Sequence, residues 1–263
     1  MILQDNFNIH SKEYIFSDDK LLSSERQNIF DKIQSNNFEK RNNESLKNIT
    51  FAEVENFNYF YEKSNNQPSI KLLDNNIYEI TLIDGKSKNY EDKNIEVRNI
   101  LSDDIKNNRN HIFEDPNDII SHFNTIFLNS GLLINIKENS NINLKIIHKS
   151  KKNYTIFQHN FFNFKKNCKV LLEESFDLTQ NTINNIKYSI HANEGSKIKH
   201  NIFQNFSNSN KLYLTSNTIC KKYSSFSQNT FNFANGFVRN YHYAKLIGEF
   251  SRAVLKGCFF FKG

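Results

Sequence analysis

From Gly131 onward, short runs that alternate apolar and polar residues recur about every ten residues. The runs read LLINIKE, INLKIIHK, YTIFQHNFFNF, KVLLEESFDL, KYSIHA, KIKHNIFQNF, KLYLTSNTI, SSFSQNTFNF, GFVRNYHYAKLIG and RAVLKGCFFF. A period of two residues predicts strands, so residues 131–263 are expected to be a sandwich, a barrel or a parallel β-helix. No repeat of fixed length is visible. An Asn-Gly hairpin signal occurs there once, at Asn235-Gly236, and this scarcity favours the solenoid.

Residues 1–130 differ, and we predict an α-rich domain with a short β element there. The segment SSERQNIFDKIQ places apolar residues at helical spacing behind a candidate N-cap, Ser24. The segment NNIYEITLIDGKSKN alternates and then turns at Asp84-Gly85, which predicts a strand followed by a turn.

A second helix is predicted from DPNDIISHFNTIF. Asp115 is its candidate cap, Pro116 suits the first helical position, and Gly131 is the expected stop. The apolar positions at helical spacing are Ile119, Ile120, Phe123 and Phe127.

Charge is divided unevenly along the chain. Residues 1–150 hold 18 Lys and Arg against 23 Asp and Glu, and residues 151–263 hold 16 against 5. The second part therefore carries a net charge of +11, which suits either a solvated lysine surface or an acidic partner. No apolar stretch is long enough to span a membrane, and no signal peptide is visible. Three widely separated cysteines, without a CxxC motif, indicate a cytoplasmic protein without a local zinc site.

Histidines are the first candidates for a metal site. We expect each to have a surface role or a satisfied polar role, because sequence spacing shows no convergence on one ion. His242 shares a face with Val238, Ala244 and Leu246, which predicts a buried neutral imidazole with a hydrogen-bond partner. Cys258 is expected to be a small hydrophobe in a strand. The other histidines are His10, His111, His122, His148, His159, His191 and His200.

No catalytic, cofactor-binding or metal-binding residue is assigned, and we expect no enzyme. Arg239 and Asn240 could contact a partner, but we favour an outward Arg239 and an Asn240 that satisfies backbone groups at a bend. A polysaccharide-cleaving site would need several carboxylates on one outward face. The carboxylates after residue 150 are few: Glu173, Glu174, Asp177, Glu194 and Glu249. No GxSxG, Walker A or GxGxxG motif occurs.

Four stretches of the β region carry a family resemblance. They are FNTIFLNSGLLINIKENSNINLKIIHKS (123–150), NEGSKIKHNIFQNFS (193–207, with Gly195 and Gln204), SSFSQNTFNFANGFVRNYHYAKLIGE (224–249, with Ser225, Phe231, Gly236, Arg239 and Asn240) and LKGCFF (255–260). Fainter matches are KRNNESLKNI (40–49) and LIDGK (82–86). Together they resemble the SufB/SufD family of SUF iron–sulfur cluster assembly proteins, and most closely SufD.

The resemblance implies a right-handed parallel β-helix over 131–263 and a non-catalytic scaffold. Its implied partners are a SufB-like subunit, joined β-helix to β-helix, and a SufC-like ATPase, bound through a C-terminal part. An iron–sulfur cluster is then expected only at the interface of the complete complex, with no cofactor held firmly by this chain. Because the family continues with further rungs and a helical segment, we expect a C-terminally truncated member. No membrane and no nucleic acid are expected as partners.

Two other functional classes remain open from the sequence. The basic, aromatic-rich β region is compatible with a nucleic-acid-binding module, which would bind with a steep salt dependence. A β-helix protein that binds or cleaves polysaccharides is the other alternative, although such a protein would need a secretion signal.

Overall fold

The computed structural model describes residues 24, 26–29, 31, 67–100, 119–150, 155–178, 181–207 and 209–260. His10, His111, Asp115 and Pro116 lie outside these residues, as does the stretch 40–49. Residues 24, 26–29 and 31 are helical, so the predicted helix around Ser24 is confirmed for the described positions. No helix in these ranges is both long enough and apolar enough to cross a lipid bilayer.

Strands dominate the described residues, and one helix of defined bounds, α1 (Ile119–Ile126), lies among them. In chain order the strands are β1 (Ser69–Asp74), β2 (Ile77–Ile83), β3 (Tyr90–Glu91), β4 (Ile95–Asn99), β5 (Ser130–Ile136), β6 (Asn141–Ser150), β7 (Thr155–Phe164), β8 (Lys169–Leu178), β9 (Ile183–Ala192), β10 (Lys197–Gln204), β11 (Lys211–Cys220), β12 (Ser225–Asn232), β13 (Phe237–Leu246) and β14 (Arg252–Phe259).

The strands alternate between two sheets. Sheet A has the order β1-β2-β6-β8-β10-β12-β14, and sheet B has the order β13-β11-β9-β7-β5-β4-β3. From β5 onward, neighbouring strands in each sheet run parallel. Each coil therefore contributes one strand to each sheet, and the predicted parallel β-helix is confirmed over the antiparallel sandwich and barrel alternatives. Each of the ten alternating runs coincides with one of the strands β5–β14.

One coil takes 28 residues through most of the solenoid. Lys169 pairs with Lys197 and Lys197 with Ser225, and three hydrogen bonds between neighbouring coils join residues that are also 28 apart. The last coil is shorter, because Lys211 pairs with Phe237 and Ser225 with Arg252. A structural repeat of 28 residues thus exists. The backbone path and the inward or outward direction of the side chains repeat from coil to coil, but the residue types do not.

A row of left-handed residues marks one corner of the solenoid, where the chain passes from sheet B to sheet A. One residue per coil has a positive φ there: Asn139 (58°), Asn167 (56°), Gly195 (69°), Tyr223 (57°) and Phe250 (57°). Asn and Gly tolerate this conformation, whereas aromatic residues seldom adopt it. The corner is closed in each coil by a backbone hydrogen bond such as the one from Ser196 N to Asn193 O.

The core lies between the sheets and consists of the inward-facing residues of both, among them Leu172, Ile202, Phe162 and Leu214. The outer faces of the two sheets differ. Strand β9 is buried along its whole length, and α1 packs over β7 and β9, where Asn124 Nδ2 donates to Asn185 O at 2.7 Å. Outward residues of sheet A remain exposed or half-buried in most positions.

The two ends of the described solenoid also differ. At one end, β1 and β2 form an antiparallel hairpin that extends sheet A, and β3 and β4 extend sheet B. The predicted turn is present, with positive φ at Asp84 and Gly85. At the other end, β13 and β14 are the last strands of their sheets within the described residues.

The predicted helix before the β-helix is confirmed, but its predicted stop is wrong. The helix ends at Ile126, and Gly131 lies inside β5. A Cβ at Gly131 would lie 2.2 Å from the carbonyl oxygen of His159. The glycine is therefore needed for close approach of two strands, not for ending the helix.

Candidate functional site

A buried carboxylate lies at the centre of the β-helix. In KVLLEESFDL, strand β8 buries Val170, Leu172 and Phe176, and parity places Glu174 on the same inward face. Glu174 is fully buried (0% exposed), whereas the preceding Glu173 faces outward. Burying an unpaired carboxylate is strongly unfavourable, so its surroundings must supply compensating groups.

Three side chains from three different strands meet Glu174. His148 in β6 places Nε2 at 3.0 Å from Oε2, and His200 in β10 places Nε2 at 3.3 Å from Oε1. Tyr188 in β9, across the core in sheet B, donates its hydroxyl to Oε2 in a short hydrogen bond. We call His148, Glu174, Tyr188 and His200 the interior cluster.

Strand register explains why the two histidines reach the same carboxylate. His148 is paired with Phe176, and His200 is paired with Leu172. The two imidazoles therefore approach Glu174 diagonally, one from the preceding coil and one from the following coil. Phe176 stacks on His148 with ring centroids 4.5 Å apart, and Phe162 packs edge-on against Tyr188.

The electrostatics of the interior cluster favour an ionised carboxylate. Burial alone would raise the pKa of Glu174, but the facing His148 and His200 outweigh it and hold this pKa well below its usual range. Burial, together with the charge of Glu174, raises the pKa of the Tyr188 phenol well above its ordinary value. The phenol therefore remains a donor at neutral pH, and the Glu174 carboxylate keeps a negative charge that its contacts with Tyr188, His148 and His200 stabilise.

Polar contacts continue from the cluster toward the last coil. His200 is paired in register with Gln228, whose amide nitrogen lies 2.9 Å from His242 Nδ1. Ser216 lies 2.8 Å from the same ring nitrogen. Burial, followed by the nearby His200, lowers the pKa of His242 to about 4. His242 is half-buried and hydrogen-bonded, close to the role that its strand parity predicts.

The remaining described histidines lie outside the interior. His122 is a half-buried residue of α1. His159 and His191 face outward from sheet B, where His159 Nε2 lies 2.9 Å from Ser189 Oγ and His191 packs edge-on against Phe161. Burial, and then the charge of Lys187, lowers the pKa of His159 well below its ordinary value.

The cysteines do not complete a metal site. Among the described residues, no group of three or more His, Cys, Asp or Glu is arranged to hold a metal ion. Cys168, Cys220 and Cys258 are all free thiols. Burial raises the pKa of the Cys168 thiol to about 12, so this thiol is un-ionised and inert at neutral pH. Cys258 lies in β14, as expected for a strand residue, but it is exposed.

Most of the remaining candidate carboxylates form surface ion pairs. Asp177 pairs with Lys149, Glu194 with Lys166 and Glu249 with Lys222. Because Glu173 and Glu174 point to opposite faces of sheet A, they cannot act together as a carboxylate pair on one outward face.

The prediction for Asn240 is wrong. Asn240 lies within β13, not at a bend, and its side-chain amide pairs with that of Gln204 inside the solenoid through contacts of 2.8 and 3.0 Å. Arg239 faces away from the interior, with its guanidinium 5.4 Å from the centre of the Tyr241 ring.

His148, His200 and Glu174 are considered only singly from the sequence, and the interior cluster is not predicted, although a signal for it exists. In each of the three strands, His148, Glu174 and His200 fall on the same parity as apolar neighbours such as Ile146, Leu172 and Ile198. A polar residue on an apolar face could have been identified from the sequence. Its convergence with the others requires the 28-residue register, and Tyr188 requires the opposite sheet as well.

Comparison with known proteins identifies the domain that contains this cluster. A search of curated proteins found no match. Residues 146–263 match the family model described as "SUF system FeS cluster assembly, SufBD core domain". The matched region contains all four cluster residues and strands β7–β14. With the parallel coils, this match shows that residues 146–263 of the chain are a SufBD core domain of the SUF iron–sulfur cluster assembly family.

Proposed function

We propose that this chain is a non-catalytic, SufD-like scaffold subunit in iron–sulfur cluster assembly. The observation that carries the proposal is the match of 146–263 to the SufBD core domain, which coincides with the stacked coils. In this proposal the chain pairs with a SufB-like subunit and a SufC-like ATPase, and the iron–sulfur cluster is the cargo of the complete complex. Three free cysteines suit a reducing cytoplasm, where we place the complex.

A scaffold role agrees with the chemistry of the interior. Glu174, Tyr188 and His200 are completely excluded from solvent, so no substrate can reach their polar atoms without opening the coils. Buried ionic groups of this kind can fix strand register instead of performing chemistry. We therefore assign the interior cluster to holding successive coils in alignment.

Edge strands provide the physical basis for pairing with a second β-helix. Backbone groups on the outer sides of β13 and β14 have no neighbouring strand within the described residues, and another parallel strand can continue either sheet. Inward-facing residues of these strands are exposed there, including Leu246 (53%), Leu255 (41%) and Phe259 (50%). A partner β-helix, or further rungs of the kind that the family resemblance implies, would remove both the open edges and the apolar surface from water.

The test is reconstitution of the complex from purified components. The chain is mixed with SufB-like and SufC-like subunits from the same source and analysed by size-exclusion chromatography with light scattering. We expect the chain to form a complex with the SufB-like subunit, and we expect Leu255→Lys in β14 to weaken it. The matched control is Leu72→Lys in β1, because Leu72 is similarly exposed (52%) but lies at the opposite end.

Two results would contradict the proposal. One is failure of the unmodified chain to bind either subunit while it binds RNA or a glycan in parallel assays. The other is equal weakening by Leu255→Lys and Leu72→Lys, which would remove the β13–β14 end from the interface.

A further inference from the structure

Among the described residues, no element covers the outer face of sheet A. Along β8 and β10 the outward residues Lys169, Lys197 and Lys199 are exposed, and Leu171 and Phe203 are half-buried. The corresponding face of sheet B is buried, in part by α1. Parallel sheets usually have both faces covered, so an open face with apolar residues indicates a surface that another element can cover.

Cations gather at one edge of this face. Register places Lys169, Lys197 and Arg252 in one row, with Lys199 in the next row along the strand. Adjacent strands are only about 4.8 Å apart, so the side chains of Lys169 and Lys197 are neighbouring like charges. In the described part of the chain, no carboxylate lies within ion-pair distance of Lys169, Lys197 or Lys199.

Corner lysines provide a contrast within the same molecule. Three of them have a carboxylate partner, namely Lys137 with Glu91 at 2.6 Å, Lys166 with Glu194 at 3.4 Å and Lys222 with Glu249 at 3.2 Å. Lys165 and Lys221 lie in the same corner and have no carboxylate partner among the described residues. On sheet A, Lys145 pairs with Glu79 and Lys149 with Asp177, whereas Lys169, Lys197 and Lys199 have no such partner in the described part of the chain. Their positive field is available to an external anionic group.

A mostly apolar row crosses the same face near the other end of the strands. It joins Ile147, Ser175, Phe203, Phe231 and Cys258 in register across five strands. The rings of Phe203 and Phe231 stack with centroids 5.2 Å apart and an interplanar angle of 11°. Six residues separate Lys197 from Phe203, so the cationic and apolar rows lie about 20 Å apart at the strand rise.

We propose that the outer face of sheet A docks an acidic segment of a partner protein, with carboxylates about 20 Å from an apolar anchor. The carboxylates would meet Lys169, Lys197 and Lys199, and the anchor would cover Phe203 and Phe231. Single-stranded nucleic acid fits less well, because bases bind by stacking on free aromatic faces. Here the two rings already stack on one another.

Two fluorescent peptides of identical composition test the proposal on the full chain. Each has about 14 residues, because a helix of that length spans about 20 Å. One peptide has glutamates at one end and leucines at the other, and the second has the same residues interleaved. Fluorescence anisotropy should show the first binding about tenfold more tightly than the second, since only it can satisfy both rows.

Variants measure how much the cationic row and the apolar row each contribute to the affinity for the segregated peptide. The triple variant Lys169→Glu, Lys197→Glu, Lys199→Glu should weaken the segregated peptide by about tenfold or more, and Phe203→Ser with Phe231→Ser should weaken it by a similar factor. The matched control is Lys137→Glu, Lys166→Glu, Lys222→Glu, which changes charge equally at the corners and should leave affinity unchanged. Circular dichroism of every variant verifies that the β-helix is retained.

Three results would overturn the proposal. They are equal binding of the two peptides, equal weakening by the sheet A and corner variants, and tighter binding of polyuridylate than of the segregated peptide. The last result would assign the face to nucleic acid.

Discussion

Glu174 shows how one residue can align three coils of a solenoid. Its carboxylate contacts His148 from the coil before, His200 from the coil after and Tyr188 from the opposite sheet. A one-residue slip of any of these strands would turn its polar side chain out of the core and leave the carboxylate uncompensated. The cluster therefore penalises wrong registers that an entirely aliphatic interior would tolerate.

Replacing Glu174 with glutamine is expected to lower the free energy of unfolding by about 3 kcal/mol, because His148, His200 and Tyr188 lose the charged carboxylate that they contact. Glu173→Gln, on the adjacent outward residue, should change it by less than about 0.5 kcal/mol. Urea denaturation monitored by circular dichroism measures both. Replacing all of Glu174, His148 and His200 with leucine, together with Tyr188→Phe, should restore most of the stability. If Glu174→Gln is as mild as Glu173→Gln, the cluster does not stabilise the native register.

His242 provides a dependence of stability on pH. Its pKa is lowered from 6.5 to about 4, so between these values the unfolded chain binds a proton that the folded chain does not. The titration of His242 does not lower the free energy of unfolding above pH 6.5. As the pH falls from 6.5 toward 4, it lowers this free energy by at most about 1.4 kcal/mol per pH unit. His159, whose pKa is also lowered, contributes with the same sign.

The corresponding measurement is the free energy of unfolding of wild type and His242→Gln across this pH range. The variant should show the shallower slope, because it lacks one titrating group. An unchanged slope would mean that His242 titrates normally in the folded protein.

Sequence parity predicts which individual residues face the interior but not which of them meet. His242 was placed correctly because its neighbours Val238 and Ala244 define its face within a single strand. Glu174 and His200 lie in different strands of sheet A, so their contact depends on a coil length that no visible repeat reveals. Asn240 was misplaced because its partner, Gln204, belongs to the other sheet.

At the scale of elements, the corner row determines where each coil bends. Asn139, Asn167 and Gly195 are residues that tolerate positive φ, whereas Tyr223 and Phe250 adopt it at a cost of about 1–2 kcal/mol per residue. The two aromatic rings stack with centroids 5.3 Å apart and nearly parallel planes, which offsets part of this cost. Backbone hydrogen bonds between neighbouring coils retain the bend geometry in spite of the change in residue type.

Gly195→Ala should lower the free energy of unfolding by about 1–2 kcal/mol, because the new Cβ is disfavoured at positive φ. The Cβ of the new alanine would also lie 2.3 Å from Asn167 Oδ1. Tyr223→Asn at the equivalent corner should not destabilise the protein, since Asn tolerates this conformation. Thermal unfolding of both variants provides the comparison, and equal destabilisation would show that corner conformation does not govern these positions.

Elements were easier to predict than their ends. The helical periodicity of Ile119, Ile120 and Phe123 identified α1, because an amphipathic face is a property of the segment itself. Gly131 was misjudged because its requirement is the close carbonyl of His159, which belongs to the next coil. Likewise, the coil length of 28 residues remained invisible, since Asn, Gly, Tyr and Phe all occupy the same corner position.

At the scale of the whole molecule, the solenoid is asymmetric in two directions. Strands β7 and β9 of sheet B are covered on their outer face, whereas the outer face of sheet A is open among the described residues. One end of the described solenoid is a hairpin, and the other presents β13 and β14 as edges. These differences separate the surface proposed for an acidic segment from the end proposed for subunit pairing. The uneven charge of the sequence agrees with this arrangement, since residues 151–263 supply the unpaired cations of sheet A.

The rhythm of alternating runs sufficed to predict the strands, because every strand of the β-helix carries its own parity signal. It left sandwich, barrel and parallel β-helix open, and the choice of the β-helix depended on the scarcity of hairpin signals and on the family resemblance. Covering of the outer faces could not be predicted in the same way. Outward residues of β9 such as Lys187 and Ser189 are polar in the sequence, yet they are buried in the structure. Their burial depends on elements far away along the chain, including α1.

Because successive coils repeat the same path every 28 residues, the solenoid can become longer or shorter by one whole coil at a time. Removing or duplicating one complete coil would leave every remaining side chain on its original face of the sheet. A shift of one residue inside a strand would instead move each side chain of that strand to the opposite face. Evolution can therefore lengthen or shorten such a protein along its axis without redesigning its cross-section, and the interior polar cluster marks the stretch where such editing would be least tolerated.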